Sequence, residues 1–200
     1  MRENVVVFNI ETTGVAWYEE FLQFAACDYD GNILMNTYIK PDHRRTWAKA
    51  EKFNHITPAM VKDAPSFDDV GEKFSNILFH ADVLIAYNMD FALNFMAGKA
   101  FYMTDGETRI VNVMNDFAEV YGEWDKYRHF YKYQKLETAA KYCGYQMNSG
   151  DSMNKVFATL HVYKSLRLIK QSRIVRDEES EKELLDSECK RLDCEFNSIV

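Results

Sequence analysis

Val6-Val7-Phe8-Asn9-Ile10-Glu11-Thr12-Thr13-Gly14 is the stretch on which the reading of this chain turns. Val5-Val6-Val7-Phe8 is a short continuous apolar run, the pattern of a central strand buried on both faces. It runs straight into a polar segment that ends in glycine. Two further strands are predicted at 20–28 and 33–39, joined by Asp28-Tyr29-Asp30-Gly31-Asn32, a turn rich in Asp and Gly. A meander of three strands therefore opens the chain. Thr57-Pro58 predicts a helix start, with proline at the first helical position. Ser66 precedes a second helix carrying Phe67, Val70, Phe74, Ile77 and Leu78 on one face. Val83-Leu84-Ile85-Ala86 is another buried strand, followed by a helix over 91–101. Arg109-Ile110-Val111 is a fifth strand, and helices near 113–121, 135–143 and 153–169 complete a mixed α/β domain.

Two hundred residues, 47% hydrophobic and 28% charged, suit one soluble domain with a sizeable core and an appendage. The first strand starts within three residues of Asn4 and no apolar run is long enough to cross a bilayer. The expectation is a chain without leader or membrane partner. Cys27, Cys143, Cys189 and Cys194 lack metal-ligand spacing and read as reduced thiols of a cytoplasmic protein. A formal charge of −7 argues against binding polyanions through global charge, though not against a local basic groove.

Composition shifts after Gln171. Residues 173–200 carry nine acidic and five basic residues, a local charge of −4. Leu185, Cys189, Leu192 and Phe196 fall on one helical stripe. The chain is thus divided into a domain over 1–170 and an acidic amphipathic helix or tail over 171–200. That helix reads either as solvated on the domain or as a surface for a protein partner or a second copy.

Three segments over about 4–169 resemble the DEDDh (DnaQ-like) 3′-5′ exonucleases of the ribonuclease H-like superfamily. The opening stretch is similar to the first exonuclease motif, a strand followed by Asp-x-Glu-Thr. Ala86-Tyr87-Asn88-Met89-Asp90-Phe91-Ala92 resembles the second, in which a strand ends at Asn and a Phe-Asp pair opens the next helix. Ser149-Gly150-Asp151-Ser152-Met153-Asn154-Lys155 resembles the third, where a His is followed five residues later by an Asp. The segment from Ile56-Thr57-Pro58 to Ser66-Phe67 resembles the link between the first two motifs. The fold implied is a ribonuclease H-like mixed five-stranded sheet flanked by helices, with a C-terminal helical extension.

The resemblance implies two divalent ions held by four carboxylates, with a histidine acting as general base. Those positions here are Asn9, Glu11, Ala92, Lys155 and Gly150, and only Glu11 keeps its type. Glu11 contributes −1 and Lys155 +1, so the local sum is zero before any ion arrives. Two closely spaced dications need several anionic oxygens. An ammonium at a ligand position competes for the remaining carboxylate and repels the ion. Asp90 and Asp151 are close in sequence but read as surface or capping residues. No cofactor is therefore expected, with Mg2+ or Mn2+ required only if activity persists, and Glu11 is the one remaining metal ligand.

A groove can outlast its metals. The resemblance places Thr12, Thr13 and Gly14 against a terminal nucleotide, with Asn88 and Phe91 on the other side. Residues 124–135 interleave four cations with five aromatics, which suits either base stacking or a solvated connection. The leading expectation is an inactive exonuclease-like protein that binds single-stranded nucleic acid or a protein partner. The alternatives are an active metal-dependent 3′-5′ exonuclease on DNA or RNA ends, and a protein-interaction scaffold.

Overall fold

The computed structural model describes residues 3–99, 107–148 and 151–197, with side chains as far as 174. Five strands form a mixed sheet: β1 (Val5–Thr12), β2 (Phe21–Asp28), β3 (Ile33–Tyr38), β4 (Val83–Ala86) and β5 (Arg109–Asn112). Their spatial order is β3-β2-β1-β4-β5. The meander β1-β2-β3 is antiparallel, whereas β4 and β5 run parallel to β1. A parallel return needs a long crossover, which is why α-helical chain separates β3 from β4.

β1 sits in the middle, and its apolar run is explained by burial on both sides. Phe8 and Ile10 enter the main core with Phe24, Phe74 and Leu84. Phe24 and Phe74 stack with ring centroids 3.7 Å apart, and Phe8 meets Phe74 edge-on at 6.2 Å. The β2–β3 turn uses Asp28, whose Oδ1 accepts from the N–H groups of Asp30 and Asn32, and Gly31 at φ +92°. Only glycine takes that backbone region without strain.

Helix α1 (Ala48–Asn54) was not expected from sequence; its helix face buries only Asn54, and no side chain caps its N-terminus. It is held instead by a satellite core of Leu22, Trp47, Ile56 and Val61, with Trp47 Nε1 donating to the Ile56 carbonyl at 2.6 Å. The helix expected at Thr57-Pro58 is absent. Residues 57–64 make successive tight turns, Met60 N–H to Thr57 O and Ala64 N–H to Val61 O. Pro65 forbids Ala64 the helical region, leaving too short a segment to propagate a helix.

Helix α2 (Phe67–Phe79) starts with a reciprocal capping box between Ser66 and Asp69. Helix α3 (Met89–Ala97) starts two residues earlier than expected and stops four residues short of the expected end at 101, because Gly98 caps it, its N–H donating to the Asn94 carbonyl. Helix α4 (Val113–Tyr121) ends at Gly122 in the left-handed region, φ +79°. The aromatic and basic stretch 124–135 is partly regular. It contains a small ribbon, β6 (Trp124–Asp125) against β7 (Phe130–Tyr131), with Trp124 packed edge-on over Tyr131.

Helix α5 (Leu136–Tyr142) is followed by α6 (Ser152–Asn197), one uninterrupted helix of 46 residues. The sequence suggested a helix to 169 and then a separate appendage. By compactness the chain divides within this helix, into a unit reaching to Tyr163 and one starting at Lys164. The side chains of Leu185, Cys189, Leu192 and Phe196 lie outside the described residues. No described helix is long and apolar enough to cross a membrane.

Candidate functional site

Residues two apart on a strand project from the same face, so Asn9 and Glu11 leave β1 together, opposite Phe8 and Ile10. Helix α6 brings Ser152 and Lys155 over them. Lys155 Nζ lies 2.8 Å from Glu11 Oε1, and the two side chains are only 18% and 11% exposed. The same oxygen accepts from Asn9 Nδ2 at 2.8 Å, and Asn9 Nδ2 also donates to Ser152 Oγ at 2.8 Å. A carboxylate only accepts, so the amide nitrogen of Asn9 must face Glu11. Both donors of that amide are thereby engaged. The result is a closed polar cluster in which an anion is already neutralised.

Ala92, in the first turn of α3, is buried and offers a methyl group. It shares the wall of a cavity of about 140 Å³ with Asn9, Asn88, Phe91 and Lys155. Of the five positions singled out in sequence, four are therefore close together, and Gly150 lies outside the described residues. Asp90 is exposed on α3. Asp151 caps α6, its Oδ1 accepting from the Asn154 N–H at 3.0 Å and its carbonyl from the Lys155 N–H at 3.1 Å.

A second, larger cavity of about 530 Å³ opens beside Glu11. Thr12, Thr13, Gly14 and Phe91, four of the residues singled out in sequence, all line it. Asn88 does not; it belongs to the smaller cavity, where its Oδ1 accepts from the Phe91 N–H and caps α3. Phe91 walls both cavities and also packs on the core against Phe95. Sequence reading missed Lys49, Phe53 and Asn54, which α1 contributes to the large cavity. Phe53 is 80% exposed and Val15, which also lines the cavity, 85%. An exposed Phe in an otherwise polar helical segment was the available signal.

The threonine hydroxyls are committed. Thr12 Oγ1 donates to the Gly14 carbonyl at 2.7 Å, and Thr13 Oγ1 donates to Glu19 Oε2 at 2.6 Å while accepting from the Glu20 N–H. Gly14 is needed for this approach, since a Cβ there would stand 2.8 Å from Glu19 Cγ. Glu19 also pairs with Arg44 at 2.6 Å, and Arg44 lies over the Tyr18 ring. Next to it, Glu20 accepts from the backbone N–H groups of Asp42, His43 and Arg44. Burial opposes ionisation of Glu20, but those donors prevail and hold its pKa below the usual 4.5.

Among the described residues, no three His, Cys, Asp or Glu side chains are grouped to hold a metal ion. The donor set at Glu11 does not fit a pair of dications: one carboxylate, with one of its oxygens bonded to an ammonium and an amide. Such ions repel one another strongly and need several anionic oxygens between them.

The chain belongs to the RNase_T exonuclease family, whose model it matches over residues 6–148, and its five-stranded mixed sheet agrees with that assignment. Its architecture is the DnaQ-like, ribonuclease H-like fold. It is 28% identical over 152 residues to uncharacterized exonuclease CP81 of Escherichia phage 186, spanning 72% of this chain and 77% of that protein. PolC-type DNA polymerase III of Caldanaerobacter subterraneus is 31% identical over 144 residues, 68% of this chain and 10% of the polymerase. The zinc-bound complex of E. coli exonuclease I with single-stranded DNA superposes with a TM-score of 0.66 at 18% identity, covering 86% of this chain and 42% of that one. Exonuclease X in complex with 5′ overhanging duplex DNA gives 0.60 at 19% identity, covering 81% and 90%. At these identities the structural likeness is one of fold. The chain spans less than half of exonuclease I and a tenth of the polymerase.

Proposed function

We propose that this chain is a cytoplasmic exonuclease-family protein that has lost two-metal hydrolysis and binds single-stranded nucleic acid without cutting it. The observation that carries the reading is the ion pair at 2.8 Å between Lys155 and Glu11. A carboxylate paired in this way has one oxygen committed to the ammonium and amide, and any dication at the other would face the Lys155 charge at close range. What supports binding is a cavity of about 530 Å³ lined by Thr12, Thr13, Gly14 and Phe91, with Lys49 and the exposed Phe53 also on its wall. Aromatic and cationic side chains along such a groove suit bases and phosphates. Complexes of exonuclease I and exonuclease X relatives with DNA support the choice of ligand class. Fluorescence anisotropy with labelled single-stranded oligonucleotides tests it. Salt-sensitive binding with the oligonucleotide recovered at full length is expected; no binding at low salt counts decisively against it.

A second reading is favoured by one observation, the 46-residue helix α6. A helix in water owes most of its stability to packing of an apolar face rather than to propensity. On this reading the acidic segment over 171–200 docks a protein partner or a second copy. Light scattering with and without residues 173–200 tests it, and an unchanged monomer removes the support.

A further inference from the structure

The two cavities beside the Glu11 cluster differ in the sign of their walls. Glu11 and Glu19 line the large one. The small one, of about 140 Å³, is lined by Lys155 and carries no acidic side chain. At roughly 30 Å³ per water the small cavity holds about four or five water-sized groups, the heavy-atom count of a phosphate. Its polar wall is rich in donors. Lys155 has three N–H bonds, of which one is directed at Glu11. The Asn88 oxygen is taken by the Phe91 N–H, which leaves the amide nitrogen of Asn88 to donate. Asn9 has spent both N–H bonds of its amide on Glu11 and Ser152, so that only its oxygen, an acceptor, remains. The apolar remainder, Phe8, Ala86, Ala92 and Leu136 among it, offers no acceptor to compete and strengthens whatever charge interaction forms there.

We propose that the small cavity is a phosphate site, in which the Lys155 ammonium and the Asn88 amide hold a nucleotide phosphate directly, with no metal ion. This rests on the binding-only reading and deepens it, because it names the group that takes over charge neutralisation. Ala92 is part of the arrangement: a carboxylate at that wall position would repel the anion, whereas a methyl leaves room for it. Glu11 then acts as a brake. Its carboxylate holds Lys155 in place and also competes with the phosphate for the same ammonium. Removing the carboxylate therefore tightens phosphate binding, the opposite of what its removal does wherever a metal ion bridges protein and phosphate.

The test uses thymidine 5′-monophosphate as probe, titrated calorimetrically into the full chain in a buffer containing EDTA. Binding is expected without divalent ions, weakened at least tenfold in Lys155→Gln, kept within about threefold in Lys155→Arg, and tightened severalfold in Glu11→Gln. Binding that needs a divalent ion, or that Glu11→Gln weakens, overturns the proposal, and the second result is readable even if Lys155→Gln fails to fold. A flat thymidine monophosphate titration beside normal oligonucleotide binding also overturns it, and leaves the binding-only reading standing. Lys155-dependent monophosphate binding without oligonucleotide binding does the reverse.

Discussion

Lys155 Nζ and Asn9 Nδ2 converge on a single oxygen of Glu11, each at 2.8 Å, although Lys155 is 144 residues further along the chain than Glu11. The convergence turns an exposed-looking motif at the end of β1 into a nearly closed ion pair. Its surroundings set its worth. Both partners are largely removed from water, so breaking the pair from one side strands a charge.

The first prediction follows from that burial. Lys155→Met leaves the Glu11 carboxylate unpaired and costs about 2–4 kcal/mol of folding stability. The double variant Lys155→Met with Glu11→Leu costs clearly less than the single, because no charge remains to be stranded. Urea denaturation of the four proteins of this cycle measures it. A single-variant cost below about 0.5 kcal/mol contradicts the picture, since exposed pairs give that little.

Metal affinity should return when the ligands do. The melting temperature of the natural chain is expected not to move with millimolar Mn2+. The triple variant Asn9→Asp, Ala92→Asp, Lys155→Asp places three new carboxylates around Glu11, and its melting temperature is expected to rise by several degrees with Mn2+. Differential scanning calorimetry with and without the ion reads both. An equal rise in the natural chain argues against the charge argument.

The large groove separates binding from stability at Phe53. Its side chain is 80% exposed, so Phe53→Ala is expected to change the melting temperature by no more than about a degree, in line with other surface substitutions. Base stacking on an aromatic ring is worth about 1–3 kcal/mol, which predicts oligonucleotide binding weaker by roughly fivefold or more. Anisotropy on the variant supplies the comparison, and unchanged affinity removes Phe53 from the interface.

Glu20 gives the fold an acid-sensitive element. Its folded pKa lies below the usual 4.5, burial notwithstanding, because three backbone N–H groups of the 42–44 loop donate to it. A depressed carboxylate pKa contributes stability that is complete above the unfolded value and is lost as pH falls through the folded one. Glu20→Gln should therefore lower stability at pH 7, by about 1 kcal/mol or less once solvent screening of this partly exposed carboxylate is allowed for, and the gap to the natural chain should close as pH falls through the lowered folded pKa. Chemical denaturation across pH 3–7 tests the convergence; a constant difference refutes it.

Much of this was legible in the sequence, for physical reasons that differ by residue. Val5-Val6-Val7-Phe8 and Val83-Leu84-Ile85-Ala86 announce strands because they are short, β-branched-rich apolar runs, the pattern of strands buried on both faces. Ser66 announces α2 because its cap is local chemistry. Helix α1 was silent because it is held by Trp47, Ile56 and Val61 outside its own span. With it went Lys49 and Phe53, the part of the groove that no motif carries. Thr57-Pro58 misled because Pro65, seven residues on, cancels a valid helix start. The pairing of Lys155 with Glu11 was readable only as charge arithmetic; the second donation from Asn9, and its link to Ser152, required the three-dimensional structure.

Loss of hydrolysis is tested most directly by incubating the chain with a 5′-labelled single-stranded oligonucleotide in Mg2+ or Mn2+ and resolving products at single-nucleotide length. The oligonucleotide is predicted to stay full length at protein excess over long incubation, for both DNA and RNA. Metal-dependent shortening from the 3′ end that disappears in Glu11→Gln contradicts the account, because a glutamate already paired with Lys155 would then be supporting catalysis.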